Sequence, residues 1–230
     1  MHKFEFINRG FDKNILLLPG WACDWRIFTH LDLDCNYIYA PAGDVDTEFI
    51  ACYLKEHKFH KVSVLGFSMG SFTAARFAED HAAFIERLFL VSTTIKPDAM
   101  LMDHIKAKID ANHRAFLIRF YINCFARNDI EALRLFRRDI LQDYLARADK
   151  DILLEGLNFL RGASLSSEGI NKVDKVTIYH GEEDKVFPLK DILPITQYCP
   201  KVELNVFADT GHILLFNHKF LHQIRQLCKS

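Results

Sequence analysis

An apolar run leads into a serine between two glycines in the stretch Val62-Ser63-Val64-Leu65-Gly66-Phe67-Ser68-Met69-Gly70. The run is typical of a strand buried on both faces, and the spacing from Met69 to Ala78 predicts a helix directly after the serine. At such a junction the hydroxyl is exposed beside the N–H groups of a helix N-terminus, which can stabilise an oxyanion. Glycines are needed on both sides because side chains there would collide across the turn. The pattern therefore predicts Ser68 as a catalytic nucleophile.

A serine nucleophile needs a base and an orienting carboxylate, and two later loops offer them. His212 lies in the segment Asp209-Thr210-Gly211-His212, after the predicted last strand at 202–207. The loop after the predicted strand at 175–179 carries three candidate acids, Glu182, Glu183 and Asp184. Both loops follow the carboxyl ends of strands, where open parallel sheets place their sites. His212 is the predicted base, and the residue pattern alone leaves the three acids open.

Short apolar runs alternate with helical patterns, which predicts an α/β fold with a mostly parallel sheet flanked by helices. Strands are expected at 3–7, 14–18, 37–40, 62–65, 88–92, 175–179 and 202–207. Helices are expected at 47–57, 69–78, 188–198 and 215–228. Between 98 and 162 the apolar residues recur at helical spacing, which predicts three or four helices, one with a capping box at 128–131. We therefore expect an α/β core, residues 1–96 and 166–230, that carries an inserted helical cap (lid), residues 97–165.

Composition and charge exclude several other classes of protein. Half of the 230 residues are hydrophobic, which is enough for a folded core, so a disordered chain is not expected. The 29 basic and 30 acidic side chains nearly balance, so nucleic-acid binding is not expected either. No apolar run is long enough for a membrane span, and the N-terminus lacks the apolar core of a signal peptide. Six cysteines without a C-x-x-C pair predict reduced thiols in a cytoplasmic protein. His218 and His222 lack further ligands nearby, so no metal site is predicted.

Taken together, these motifs resemble the α/β-hydrolase family of serine hydrolases over about residues 14–95 and 174–229. The acid loop of that family reads G-x-x-D-x-x-x-P, and the segment 181–188 matches it with Asp184 as the acid. The resemblance implies an oxyanion hole formed by the backbone N–H groups of Trp21 and Met69, and it implies no cofactor. Pro19 stands where the family has a histidine before the glycine, which leaves the geometry of this loop open.

Two segments, 20–28 and 211–218, more closely resemble the esterases that demethylate pimeloyl-acyl-carrier-protein methyl ester in biotin synthesis. In that subgroup, cap arginines engage the acidic carrier protein and the phosphate of its phosphopantetheine. Eight of the chain's 13 arginines lie in the predicted cap. Arg137 and Arg138 are the expected substrate-binding pair there, with free heads because Phe136 and Ile140 would bury the opposite side of their helix. Trp21 is the expected substrate-binding residue of the core.

The same triad also serves other reactions, so the substrate stays open at this point. A generic small-ester esterase or a thioesterase would use the same three residues, because an ester and a thioester present the same carbonyl. A C–C lyase of menaquinone synthesis has a very similar serine turn on this fold. A non-catalytic receptor on the same scaffold is disfavoured because the triad is intact.

Overall fold

The computed structural model of the chain describes residues 3–229, and its side chains from 3 to 226. The described residues form one seven-stranded sheet. Its strands are β1 (Glu5–Ile7), β2 (Asn14–Leu18), β3 (Asn36–Tyr39), β4 (Val62–Phe67), β5 (Ile85–Val91), β6 (Val176–Gly181) and β7 (Val202–Phe207). Each predicted strand is present, with ends that differ from the expected ones by a few residues at most.

The strand order is β1-β3-β2-β4-β5-β6-β7, and all neighbours are parallel except β1, which is antiparallel to β3. The central strand β4 is buried at all six positions, which explains its continuous apolar sequence. Because the strands from β2 to β7 are parallel, their carboxyl ends meet at one edge of the sheet. The loops that carry Ser68, Asp184 and His212 leave β4, β6 and β7 at that edge.

Helices cover both faces of the sheet and form the segment between β5 and β6. They are α1 (Thr47–Glu56), α2 (Met69–His81), α3 (Ala99–Asn123), α4 (Ile130–Phe136), α5 (Gln142–Arg147), α6 (Lys150–Gly162), α7 (Ser167–Asn171), α8 (Ile195–Tyr198) and α9 (His218–Lys229). Asp46 caps α1 by accepting a hydrogen bond from the Phe49 N–H at 3.1 Å, as a helix start at Thr47 requires. The helix expected at 188–198 is instead two short turns, Leu189–Asp191 and α8, with Pro194 directly before the second.

The segment between β5 and β6 is a helical insertion, as predicted. Its longest helix, α3, breaks at Asn112, whose side chain accepts a hydrogen bond from the Ala115 N–H at 2.9 Å and so caps the second half. We name the halves on either side of Asn112 the two arms of α3. The Leu165 N–H donates to the Ile95 carbonyl at 2.8 Å, so the two ends of the insertion meet beside the sheet. We propose residues 97–165 as the cap on this basis.

The capping box expected at 128–131 is wrong. Asp129 is the N-cap of α4, but its side chain makes no capping hydrogen bond there. The carboxylate is buried instead against the loop after β7, and the neighbouring Asn128 donates to the Asp209 carboxylate at 2.9 Å. The side chains of Asn128 and Asp129 therefore make tertiary hydrogen bonds instead of capping the helix. No helix of the described residues is long and apolar enough to cross a membrane.

Candidate active site

Ser68 lies at the turn between β4 and α2, in a backbone conformation that only a tightly packed site can hold. Its φ of 52° is in the left-handed region, which non-glycine residues rarely adopt. A Cβ built on Gly66 would lie 2.5 Å from the Gly70 carbonyl oxygen, and one on Gly70 would lie 2.2 Å from the Leu18 carbonyl oxygen. Both glycines are therefore required by close backbone approach, as the sequence predicted.

The structure brings Ser68, His212 and Asp184 into one hydrogen-bonded chain. The Ser68 Oγ is 2.8 Å from His212 Nε2, and His212 Nδ1 is 2.7 Å from Asp184 Oδ2. All three residues are buried, with 6%, 2% and 5% of their surface exposed respectively. This arrangement lets the imidazole accept the serine proton while the carboxylate fixes its orientation.

Asp184, rather than either neighbouring glutamate, is the acid that contacts His212. Its second oxygen, Oδ1, accepts hydrogen bonds from the N–H groups of Val186 and Phe187 at 2.8 and 2.9 Å. These bonds fix the carboxylate in the turn after β6. Glu182 is exposed and Glu183 is half-buried, and neither side chain hydrogen-bonds to the histidine.

His180 is a neighbour of the triad whose contact the sequence did not predict. It is fully buried in β6, its Nε2 lies 3.6 Å from Asp184 Oδ2, and the same nitrogen donates to the Phe187 carbonyl at 2.9 Å. Burial lowers the pKa of His180 below its ordinary value. The ring is therefore neutral at neutral pH and does not compete with His212 for the charge of Asp184.

Backbone contacts from the cap and the core hold the loop that carries His212. The Cys124 carbonyl accepts from the His212 N–H at 2.6 Å, and the Ser92 hydroxyl donates to the His212 carbonyl at 2.6 Å. Asp129 accepts from the Gly211 N–H at 3.3 Å. Cys124 and Asp129 belong to the insertion, so the cap helps to position the histidine. Sequence reasoning missed these contacts because no local pattern marks them.

Trp21 and Met69, the residues expected to form the oxyanion hole, lie on the two turns that flank Ser68. Met69 begins α2, and the first N–H groups of a helix have no intrahelical partner. Trp21 follows Gly20 in the turn after β2, and a Cβ built on Gly20 would lie 3.1 Å from the Cβ of Ser68. The turn with Pro19 in place of the family's histidine therefore still passes directly beside the serine. The Trp21 indole is buried and donates to the Leu153 carbonyl at 2.9 Å, which ties this turn to α6.

A small apolar cavity, which we name the inner cavity, lies over Ser68 and His212. Its volume of about 30 Å³ is enough for one or two water molecules. Apart from Ser68 and His212, it is lined by Trp21, Cys23, Phe67, Met102, Ile105, Phe120, Tyr121, Cys124, Leu157, Leu160, Val186, Phe187 and Ile213. Burial raises the pKa of both lining thiols, Cys23 and Cys124, so they stay protonated and are poor nucleophiles.

The predicted arginine pair lies outside this cavity, on the surface of the cap. Arg137 and Arg138 are both exposed, and Phe136 and Ile140 bury the other side of the same helical turn, as expected. The head of Arg138 is not free, however, because it pairs with the adjacent Asp139. Among the described residues, no group of three or more His, Cys, Asp or Glu side chains could hold a metal ion.

Comparisons with known proteins agree with this fold. The family model described as serine aminopeptidase, S33, matches residues 42–219, which is more than half of the chain. The protein therefore belongs to this α/β-hydrolase family. Among curated proteins, no sequence matches the chain at a significant level.

Several solved structures are similar along nearly their whole length. An esterase from Exiguobacterium antarcticum has a TM-score of 0.85 at 19% identity, with 100% of this chain and 96% of that chain covered. An enol-lactonase from Burkholderia xenovorans LB400 has a TM-score of 0.83 at 15% identity, covering 100% and 96%. A thermophilic esterase from Thermogutta terrifontis has a TM-score of 0.80 at 16% identity, covering 99% and 93%. At these identities the likeness establishes the α/β-hydrolase fold, which confirms the predicted fold class.

Proposed function

We propose that the protein is a serine carboxylic ester hydrolase that acts through an acyl-enzyme. The observation that carries the proposal is the chain of hydrogen bonds from Ser68 through His212 to Asp184. His212 accepts the serine proton as Ser68 Oγ attacks the ester carbonyl, and Asp184 stabilises the imidazolium that forms. The N–H groups of Trp21 and Met69 bind the oxyanion. His212 then protonates the leaving alcohol, and water attacks the acyl-enzyme by the reverse sequence.

The lining of the inner cavity supports an ester over a peptide with a free amino terminus. The name of the family refers to aminopeptidases, whose substrates carry a cationic α-ammonium group close to the scissile bond. No aspartate or glutamate lines the inner cavity among the described residues. Burial of an ammonium group without a carboxylate partner is costly. A neutral ester or thioester with an apolar chain suits this lining better.

Within this class we propose an acyl-carrier-protein-linked ester, pimeloyl-acyl-carrier-protein methyl ester of biotin synthesis, as the substrate of a cytoplasmic enzyme. The segments 20–28 and 211–218 support this choice, together with the two exposed arginines at the surface of the cap. A small free ester, a thioester and the C–C elimination of menaquinone synthesis are the alternatives. Pyruvate release without ester turnover would indicate the lyase.

Replacement of the nucleophile tests the proposed chemistry. Ser68→Ala should lower kcat on p-nitrophenyl esters by about 10⁴-fold or more, since the other triad members cannot act without it. A fluorophosphonate probe should label the wild type once, on Ser68, and leave Ser68→Ala unlabelled. Undiminished turnover in Ser68→Ala would overturn the mechanism, and turnover of an aminoacyl p-nitroanilide in preference to the ester would favour the peptidase.

A further inference from the structure

A second, larger cavity opens beside the inner cavity and has a different chemical character. We name it the vestibule; it has a volume of about 580 Å³ and is lined by both arms of α3 and by Lys185 and Val186. Leu101 and Ile105 from the first arm, and Phe116 and Phe120 from the second, give it apolar walls. A cavity of this size can hold a chain of many atoms, whereas the inner cavity, at about 30 Å³, has room for only one or two water molecules.

The vestibule adjoins the space above Ser68. Met102, Ile105, Phe120 and Val186 line both cavities, so they form the boundary between them. All four side chains are apolar, so the boundary between the two cavities carries no charge. An ester whose carbonyl lies at Ser68 would therefore extend one of its substituents past these residues into the vestibule.

Charge in the vestibule has one sign. Lys108, Arg119 and Lys185 line it, and no aspartate or glutamate does among the described residues. None of these three cations forms an ion pair with a described residue. Elsewhere on the cap some cations are paired, as Lys150 is with Asp110 and Arg161 with Asp103, while others such as Arg137 have no ion pair among the described residues. What distinguishes the vestibule is that three cations line one cavity with apolar walls. The vestibule thus has apolar walls and unpaired positive charges, which suits an apolar chain that ends in an anion.

We propose that the vestibule binds an anionic group, a carboxylate or a phosphate, at the far end of the acyl chain of the substrate. This inference rests on the proposed ester hydrolysis at Ser68. It places the recognition of the remote end of the acyl chain between the arms of α3, at Lys108 and Arg119. Arg137 and Arg138, which lie outside the vestibule, could then contact only a carrier protein. The enzyme is then selective for ω-anionic acyl esters over the corresponding fatty-acid esters.

Paired substrates test the proposal in the full chain. The p-nitrophenyl monoesters of dicarboxylic acids, from adipate to sebacate, are compared with the p-nitrophenyl esters of fatty acids of the same length. An ω-phosphorylated ester distinguishes phosphate from carboxylate. The test variant is the double substitution Lys108→Gln with Arg119→Gln; Lys185 is left in place because it adjoins Asp184. Lys106→Gln is the matched control, an exposed lysine on the same arm that does not line the vestibule.

The readout is the ratio of kcat/KM for the anionic ester to kcat/KM for its neutral partner. A lower fraction of folded protein reduces both values equally, so it does not change this ratio. We expect the wild type to prefer the anionic ester at low salt. The ratio should fall about threefold for each cation removed, so roughly tenfold in the double variant, while Lys106→Gln keeps the wild-type ratio. A wild-type ratio of one or less, or an unchanged ratio in the double variant, overturns the proposal.

Failure of the ester chemistry itself is distinguished by a binding measurement. Calorimetric titration with the monoamide of suberic acid, against octanamide, reports the same preference without turnover, because the two ligands share a neutral amide and differ only in the remote carboxylate. Tighter binding of suberic acid monoamide by the wild type than by the double variant, in a protein without esterase activity, would uphold the anion site and refute the reaction. Equal binding of both amides by both proteins would refute the anion site whether or not esters are hydrolysed.

Discussion

At the scale of single residues, the two oxygens of Asp184 have separate tasks. Oδ2 contacts His212 Nδ1, while Oδ1 is held by the N–H groups of Val186 and Phe187. The hydrogen bonds to the backbone fix the rotamer of the Asp184 side chain, so Oδ2 is held in place to accept a hydrogen bond from the imidazole. Because the neighbouring His180 is neutral, it does not offset the negative charge of Oδ2, which can then stabilise a protonated His212.

Asp184→Asn should therefore lower kcat about 10³- to 10⁴-fold with the fold intact, because an amide in this place favours the wrong imidazole tautomer. Steady-state kinetics on a p-nitrophenyl ester measures the loss. Glu182→Gln and Glu183→Gln are the matched controls from the same loop and should keep most of the activity. A loss in Glu183→Gln as large as that in Asp184→Asn would contradict the assignment of the acid.

The residues of the site differ in how far the sequence could predict them. Ser68 stands in a strand–turn–helix motif, and the spacing around Asp184 matches the family's acid loop, so local sequence identifies both. Ser92 and Cys124 contact the backbone of His212 from elements that are distant in the chain. A serine hydroxyl or a main-chain carbonyl in such a role has no sequence pattern. The sequence therefore predicted that Ser68, His212 and Asp184 lie together, but not which groups position them.

At the scale of elements, Asp129 links the start of α4 to the loop after β7. Its carboxylate accepts from the N–H of Gly211, the residue before His212, and it is 8% exposed. Burial raises the pKa of Asp129 above its ordinary value, although the hydrogen bonds from Gly211 and Asn217 favour the charged form. Burial of the Asp129 carboxylate is unfavourable for its charged form, and its hydrogen bond to the Gly211 N–H is what it gains in exchange. We therefore infer that Asp129 fixes the loop that carries His212.

Asp129→Ala should lower kcat about tenfold or more, since a small displacement of His212 weakens its alignment with Ser68. Asp129→Asn keeps an oxygen acceptor for the Gly211 N–H and should recover most of that loss. The comparison is made on kcat, with denaturant unfolding of each variant to separate positioning from folding. Equal kcat values in Asp129→Ala and the wild type would show that the contact does not position the base.

In the cap, the spacing of apolar residues predicted where helices form, but a local capping motif did not predict how α4 begins. The spacing of Leu101, Ile105 and Ile109, and then of Phe116 and Phe120, predicted helices on both sides of Asn112, and the structure has them. The capping box at 128–131 failed because a buried contact with the next loop competes for Asp129. Local propensity decides exposed helix ends, whereas tertiary hydrogen bonds decide buried ones.

At the scale of the whole molecule, Ser68, Asp184 and His212 lie in loops of the core, and side chains of the cap line the cavity above Ser68 and His212. The inner cavity of about 30 Å³ is too small for an ester and its leaving group. Met102 and Phe120 of the cap line this cavity, so they are among the side chains that an ester bound at Ser68 would contact. Cys124 and Asp129 of the cap also contact the histidine loop, so the cap and the triad are linked by hydrogen bonds.

A carrier protein would dock on the outside of the cap, where Arg137 and Arg138 are exposed. Rim charges mainly change association rates, so Arg137→Ala should raise KM for a carrier-protein-linked ester more than for a small free ester, with a larger effect at low salt. Arg138→Ala should have a smaller effect because Asp139 already pairs with that guanidinium. Arg161→Ala, an exposed cap arginine paired with Asp103, is the control. An equal rise in KM for both substrates would mean that Arg137 supports the structure of the cap. If KM changes for neither substrate, Arg137 does not contribute to docking of a carrier protein, and a small-ester hydrolase is favoured.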